Sequence, residues 1–298
     1  MNEDESSSLL VTIFDINSVW WSKHDHGAKE EESFLHCLES LMIFINSHLL
    51  MKHSNKLGFI VCNGDSSIFV YPDREGGLKD LASVRDGKYE EFIRLNDNIV
   101  DEVKRIYNEA LEGHAIGESN KATKLSGALS QAHCYIHRLM KESTAVDKLS
   151  ARILVVKASS DVAPQYMPIM NCIFAAQKNN IVIDGCVLGD DSGYLQQAAD
   201  ITGGNYLKVT SIAGLLQYLL WVFLPDPHTR KSLVLPSAVQ IDYRGACFCH
   251  RQLVDIGFVC SVCLSIYCKF IPRCMTCQTL FKLPDLPMGS KPKKKKKQ

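Results

Sequence analysis

Thiol chemistry is concentrated at one end of this chain, where seven of its twelve cysteines fall between Cys247 and Cys277. The run reads Cys247-Phe248-Cys249-His250, then Cys260-Ser261-Val262-Cys263, then Cys268, then Cys274-Met275-Thr276-Cys277. Two C-x-x-C pairs separated by ten residues predict two tight knuckles whose backbone amides point at the sulfurs and stabilise thiolates. Cys260, Cys263, Cys274 and Cys277 would then close a tetrahedron around zinc. A segment this short buries too little apolar surface to fold without such a centre. Cys247, Cys249, His250 and Cys268 offer a further set of ligands.

Asp15 is the other place where a side chain is offered for chemistry. The apolar run Leu9 to Phe14 stops abruptly at Asp15-Ile16-Asn17-Ser18. It is too short and too β-branched for a helix and reads as a strand buried on both faces, at the centre of a parallel sheet. Ligand crevices of open α/β sheets lie beyond the carboxyl ends of the strands, so Asp15 marks the sheet's potential working edge. His36, His48, His133 and His137 lie in or near helical patterns. His133 and His137 are one turn apart with no Glu between them as in His-Glu-x-x-His, and they read as helix-surface residues. No nucleophile has a credible base beside it. Neither G-x-G-x-x-G after the first strand nor G-x-x-x-x-G-K-S/T occurs, so no nucleotide site is indicated.

The elements that must position these residues follow from hydrophobic periodicity. After Val19-Trp20-Trp21, whose indoles read as packing or interface aromatics, a polar loop is expected. Phe34, Leu38, Leu41, Met42, Ile45 and Leu49 then mark one face of a long helix. Leu57 to Cys62 reads as a strand, and Asn63-Gly64-Asp65 as the hairpin turn into Ile68 to Tyr71, the antiparallel edge. Pro72 to Lys88 reads as an exposed loop. Helices follow over Phe92 to Ala110, broken at Gly113 to Gly117, and from Thr123 through Leu139. Strand Arg152 to Val156, a helix carrying Met167 to Phe174, strand Ile181 to Val187, helix Ser192 to Ile201, strand Tyr206 to Val209 and an apolar helix ending at Pro225 complete the alternation. Alternating strands and helices require an α/β fold with a mostly parallel sheet covered on both faces.

At 298 residues with 46% hydrophobic content, the chain has room for one large domain and a small one. An acidic tail (1–8), a sheet domain (9–224), a linker (225–245), a cysteine module (246–284) and a Lys-rich tail (285–298) are expected. Clustered rather than paired cysteines point to metal in a reducing compartment. The absence of a signal peptide pattern, and a longest apolar stretch near Leu215 to Leu224 of about half the ~20 residues of a membrane span, predict a soluble intracellular protein. Pro292 followed by five lysines reads as a nuclear localisation signal. The Lys tail lacks interleaved aromatics, so sequence-specific nucleic-acid binding is not expected.

A strand ending in Asp15, the run Thr123 to Leu129, Ile153-Leu154-Val155-Val156, and Leu195 through Thr202-Gly203-Gly204-Asn205-Tyr206 together resemble the von Willebrand factor A domain over residues 9 to 224. Members that bind ligands through a metal carry Asp-x-Ser-x-Ser, a Thr and a later Asp, and the corresponding positions here are Asp15, Asn17, Val19, Thr123 and Ser159. Three of the five differ, and Val19 offers no oxygen. Asp15 and Thr123 are therefore expected to bond backbone amides and hydroxyls, with Asp161 a possible substitute carboxylate. The cysteine run resembles cross-braced RING-type modules, in which Cys268 would be paired with a ligand at 271. Ile271 stands there, so Cys260, Cys263, Cys274 and Cys277 are expected to hold one zinc and the other site is expected to be incomplete.

The two modules in this order, with Tyr243-Arg244-Gly245-Ala246-Cys247-Phe248-Cys249-His250-Arg251, closely resemble the smaller von Willebrand A and C4 zinc-finger subunits of general transcription factor IIH (TFIIH). That resemblance implies a non-catalytic structural role in RNA polymerase II transcription initiation and nucleotide excision repair. It implies Zn2+ as cofactor, a nuclear location, and partnership with other TFIIH core subunits, above all the second von Willebrand A and zinc subunit. Small-molecule substrates and membranes are not implied. A RING-type ubiquitin ligase component and a metal-dependent ligand-binding A domain are the competing readings.

Overall fold

The structure, a computed structural model, describes residues 7–25, 33–72, 88–114, 123–142, 149–236, 241, 243–245, 247–250 and 252–281. The acidic residues at 1–5, most of the expected 72–88 loop, the glycine break after residue 114 and the Lys tail lie outside them. Two compact units are present, Met1–Asp242 and Tyr243–Gln298.

The first unit is built on β1 (Ser7–Asp15), which is buried along almost its whole length. Side chains alternate across a strand. Leu9, Val11 and Ile13 therefore enter one core layer, while Leu10 and Phe14 enter the other. β1 pairs in parallel with β2 (Lys56–Cys62) and with β4 (Leu149–Lys157), and Val11 lies opposite both Gly58 and Ile153. With β3 (Ser67–Tyr71), β5 (Val182–Val187) and β6 (Tyr206–Lys208), the sheet has six strands in the order β3-β2-β1-β4-β5-β6. β3 is the antiparallel edge that the Asn63-Gly64 turn predicts.

One face is covered by α1 (Ser18–Asp25), α2 (Phe34–Met51), α3 (Lys88–His114) and α7 (Leu215–Tyr218), which widens into a π turn over Leu219–Phe223. The other is covered by α4 (Leu125–Glu142), α5 (Tyr166–Lys178) and α6 (Gly193–Thr202). This is the doubly covered α/β sheet expected from the alternation.

Three elements differ from the sequence reading. The stretch after Trp21 was expected to loop, yet Ser18–Asp25 is helical because the Asn17 side chain accepts from the amides of Val19 (3.1 Å) and Trp20 (3.3 Å). Trp21 then anchors the turn: it is fully buried against Phe14 and Phe34, and its indole donates to the Asp15 carbonyl at 3.0 Å. α2 is more apolar than expected. Its 18 residues have a mean hydropathy of 1.4, enough by length and composition to cross a membrane, although half of that window is buried inside the fold.

The third difference lies at the domain end. Pro225 was expected to open a linker, but a short helix α8 (Pro227–Arg230) is tied to the sheet. Arg230 forms a bidentate pair with Asp184 of β5, both contacts 2.7 Å and both residues buried. Arg152 of β4 donates to the carbonyls of Phe223, Leu224 and Pro225, each at 2.8 Å. Two guanidiniums thus satisfy the carbonyls that the last helix leaves open. They arrive from elements far apart in sequence, so no local pattern announces them.

His48, placed by the sequence in the α2 helical pattern, is 1% exposed. Burial, with the Arg152 charge nearby, pushes its imidazole down from 6.5 to about 4. An imidazole that is harder to protonate in the fold than in the open chain supports the fold fully above about pH 6.5, and that support is lost as pH falls towards 4. Between pH 7 and 4.5, wild type is expected to lose about 2.5 kcal/mol more than His48→Leu does. Urea unfolding of both proteins at the two pH values measures it, and equal losses would refute the assignment.

Candidate metal centre

The second unit has little apolar core of its own: Cys260, Cys274 and Tyr267 are its buried cluster. Its backbone is shaped by three knuckles closed in the same way. The amides of Cys247, Cys260 and Cys274 each donate to the carbonyl five residues on, at Gln252, Ser265 and Thr279, all at 2.9 Å. In the latter two, the residue after the C-x-x-C turns into the left-handed region, at Leu264 (φ 59°) and Gln278 (φ 65°). These turns aim the sulfurs inward, with β7 (Phe258–Val259) and β8 (Ile266–Tyr267) pairing between the knuckles.

Cys260, Cys263, Cys274 and Cys277 bring four sulfurs within 4.8 Å of one another. Cys260 and Cys277 lie 3.6 Å apart and Cys263 and Cys274 3.5 Å apart. A zinc–sulfur bond of about 2.3 Å in a tetrahedron sets a sulfur–sulfur edge of about 3.8 Å, so the four donors fit. Although burial opposes ionisation, the Cys277 amide and the Tyr267 hydroxyl, 3.1 Å away, help to draw the Cys274 thiol down to about 5. A thiol of that acidity is a thiolate at neutral pH, the form a metal binds.

The first ligand set is gathered as well. Cys247, Cys249, His250 and Cys268 hold their donor atoms within 4.8 Å of one another. Cys268 lies 3.3 Å from both Cys249 and the His250 Nδ1, and Cys247 lies 4.0 Å from that nitrogen. The expected gap at Ile271 therefore does not break this set. Cys247-x-x-His250 is the first knuckle pair, at the same spacing as the two C-x-x-C pairs, and Cys249 stands where a ligand at 271 was wanted. That C-x-x-H spacing was the available signal, hidden because Cys249 lies inside it. Along the chain the sets alternate, 247–250, 260–263, 268, 274–277, which is the cross-braced order.

At the sheet edge, the structure brings together the residues singled out around Asp15. One carboxylate oxygen accepts from the Asn17 amide (3.1 Å) and the Thr123 hydroxyl (3.0 Å). The other accepts from the amides of Ala158 (3.3 Å) and Ser159 (2.9 Å) and from the Ser159 hydroxyl. Asp161, considered as a substitute carboxylate, is committed elsewhere: it accepts from the buried Lys157 ammonium at 2.8 Å, the Ser192 hydroxyl at 2.6 Å and the Tyr194 amide. Val19 offers this edge only its amide, which is bonded to Asn17. Asp15 thus ties the ends of β1 and β4 to the start of α4 by accepting from amides and hydroxyls, as its hydrogen-bonding reading required. His133 and His137 do not converge with any carboxylate or thiol into a ligand set among the described residues.

Comparison with known proteins places both units in one family. The family model for transcription factor Tfb4 matches residues 7–278. The chain is 37% identical over 291 residues to the general transcription and DNA repair factor IIH subunit tfb4 of Schizosaccharomyces pombe, covering 97% of this chain and 93% of that one. It is 39% identical to general transcription factor IIH subunit 3 of Dictyostelium discoideum, covering 95% of this chain and 91% of that one. Against the TFB4 subunit of Saccharomyces cerevisiae the identity is 33%, covering 99% and 93%. Among solved structures, the crystal structure of the TFIIH p34 N-terminal domain superposes with a TM-score of 0.61 at 27% identity, covering 74% of this chain and all of that one. The sheet unit has the von Willebrand A fold, and the cysteine unit is compatible with a zinc module. By a match that runs through both, the chain belongs to the transcription factor Tfb4 family.

Proposed function

We propose that this chain is a non-enzymatic architectural subunit of TFIIH, working in RNA polymerase II transcription initiation and nucleotide excision repair through contacts with the other core subunits. One observation carries the reading: similarity to subunits of that complex extends over 97% of the chain, through sheet and cysteine units alike. The second von Willebrand A and zinc subunit is the foremost partner, and the nucleus is the place of action. Asp15 supports this reading against that of a metal-dependent A domain, because its carboxylate already accepts from five donors.

Zinc is the metal that suits the two donor sets, one of four thiolates and one of three thiolates and an imidazole, since both are soft and four-coordinate. It would be structural, joining knuckles that have little core of their own. Beside it, Phe258, Val259, Phe270 and Ile271 form an exposed apolar groove suited to a protein contact. A RING-type ligase would use such a groove too, and ubiquitylation by the full chain in vitro tests that reading.

Depleting the chain from cells is expected to dissolve the complex and to depress both promoter opening and excision repair. Intact assembly with normal initiation and repair after depletion would refute the proposal.

A further inference from the structure

The groove of the cysteine unit is aromatic and small. Phe258, Val259, Phe270, Ile271 and Phe281 line it together with the buried Tyr267, and none of these is charged. Phe258 and Phe270 meet edge to face with 6.0 Å between ring centroids, and each keeps nearly half its surface exposed, 49% and 46%. A volume of about 110 Å³ has room for a side chain of leucine size. Phe281 is the last described residue. Its amide donates to the Pro272 carbonyl at 2.9 Å and the preceding Leu280 bridges Arg273, so the backbone is held in place as far as the groove wall. The next residues are Lys282-Leu283-Pro284-Asp285-Leu286-Pro287-Met288. Leu283 and Leu286 each precede a proline, which disfavours the helical region for both, and the prolines fix their own φ near −65°. The sequence therefore favours polyproline II, with three residues per turn. On that helix Leu283 and Leu286 share one face about 9 Å apart, Pro284 and Pro287 share the next, and Asp285 and Met288 take the third.

We infer that residues 283–288 dock in this groove of their own chain, with Leu283 and Leu286 facing the Phe258 and Phe270 rings. The inference goes beyond the function proposed above and does not rest on it. Aromatic grooves take polyproline II segments of the form Pro-x-x-Pro, because a preformed helix has little entropy left to lose, and Pro284-Asp285-Leu286-Pro287 is such a segment. Tethering selects this occupant over others. Lys282 alone separates the segment from the groove wall, so its effective concentration there is on the order of millimolar, which a separate chain would have to match. Charge agrees, since the exposed Lys269 and Arg273 flank Phe270 and Ile271 in the chain and are of the sign that suits Asp285. A partner protein that uses this groove must first displace the segment.

The test uses the full metal-loaded chain, labelled on leucine methyls and phenylalanine rings for NMR. Wild type is expected to show nuclear Overhauser contacts from the Leu283 and Leu286 methyls to the Phe258 and Phe270 rings. Their absence overturns the inference, and this readout needs no variant. A fluorescein-labelled peptide of residues 282–290 then measures whether the groove is filled. It should bind the double variant Leu283→Asp/Leu286→Asp at least about tenfold more tightly than wild type, with the metal content of the two proteins equal. Equal affinity for both proteins, or binding to neither, overturns the inference. So do contacts seen only between differently labelled chains in a mixed sample, which would give the groove to a second copy. Contacts to the two rings that arise only from an added TFIIH core subunit would give it to that partner and overturn the inference as well.

Discussion

Cys260→Ala is expected to release metal and to unfold the residues beyond about 245 while the sheet unit stays folded. Its sulfur lies 3.6 Å from that of Cys277 in a set that also includes Cys263 and Cys274. Metal-binding free energy of order ~10 kcal/mol is what opposes the chain entropy of so small a module. Because the two sets interleave along the chain, loss of either should loosen the other. Cys268→Ala removes the shared neighbour of Cys249 and His250 and is expected to lose the first metal. Elemental analysis with native mass spectrometry decides the matter: two zincs per wild-type chain, and fewer in each variant. One zinc in the wild type, retained in Cys268→Ala, would show that the first donor set stays empty.

Asp184→Ala should cause the largest loss in the sheet unit. Its carboxylate accepts from both Nη1 and Nη2 of Arg230 at 2.7 Å and from the Asn205 amide at 2.8 Å. Arg152 is buried beside the same pair, and burial draws its guanidinium down to about 10, opposed by the attraction of Asp184. Removing that buried acid leaves two buried cations facing each other across the carbonyls of the last helix, with the partly exposed Asp226 as the remaining nearby acid. About 3–5 kcal/mol is the expected cost. Asp184→Leu combined with Arg230→Met should recover a good part of it, because the uncompensated charge goes with its partner. Urea unfolding of the three proteins, with zinc content as a check that the other unit is intact, makes the comparison; a loss under about 1 kcal/mol in Asp184→Ala would refute it.

Much of this protein is determined locally and so is legible in the sequence. Leu9 to Phe14 is long enough for a strand and too apolar for an edge, which places β1 in the middle of the sheet and Asp15 at its carboxyl end. The C-x-x-C spacing dictates the knuckles, because a turn of that length brings sulfurs i and i+3 to one side. Tertiary structure decided whatever depends on groups distant in the chain. Ser159 meets Asp15 only because β1 and β4 are neighbours in the sheet, and Thr123 does so because the start of α4 is tied to the end of β2, the Lys124 amide donating to the Asn63 carbonyl at 2.9 Å. Arg152, Asp184 and Arg230 converge from β4, β5 and α8, and they hold to the sheet a segment that its prolines mark as linker. His48 is interior because its flank of α2 turns towards Arg152 and the β1 and β2 strand starts, which periodicity along the helix does not reveal. Cys249 joins Cys268 because the first knuckle folds back over β8, where Phe248 donates to the Ile266 carbonyl at 2.8 Å. Spacing names the ligands of a single knuckle, whereas the distance between two knuckles is set by the chain that joins them.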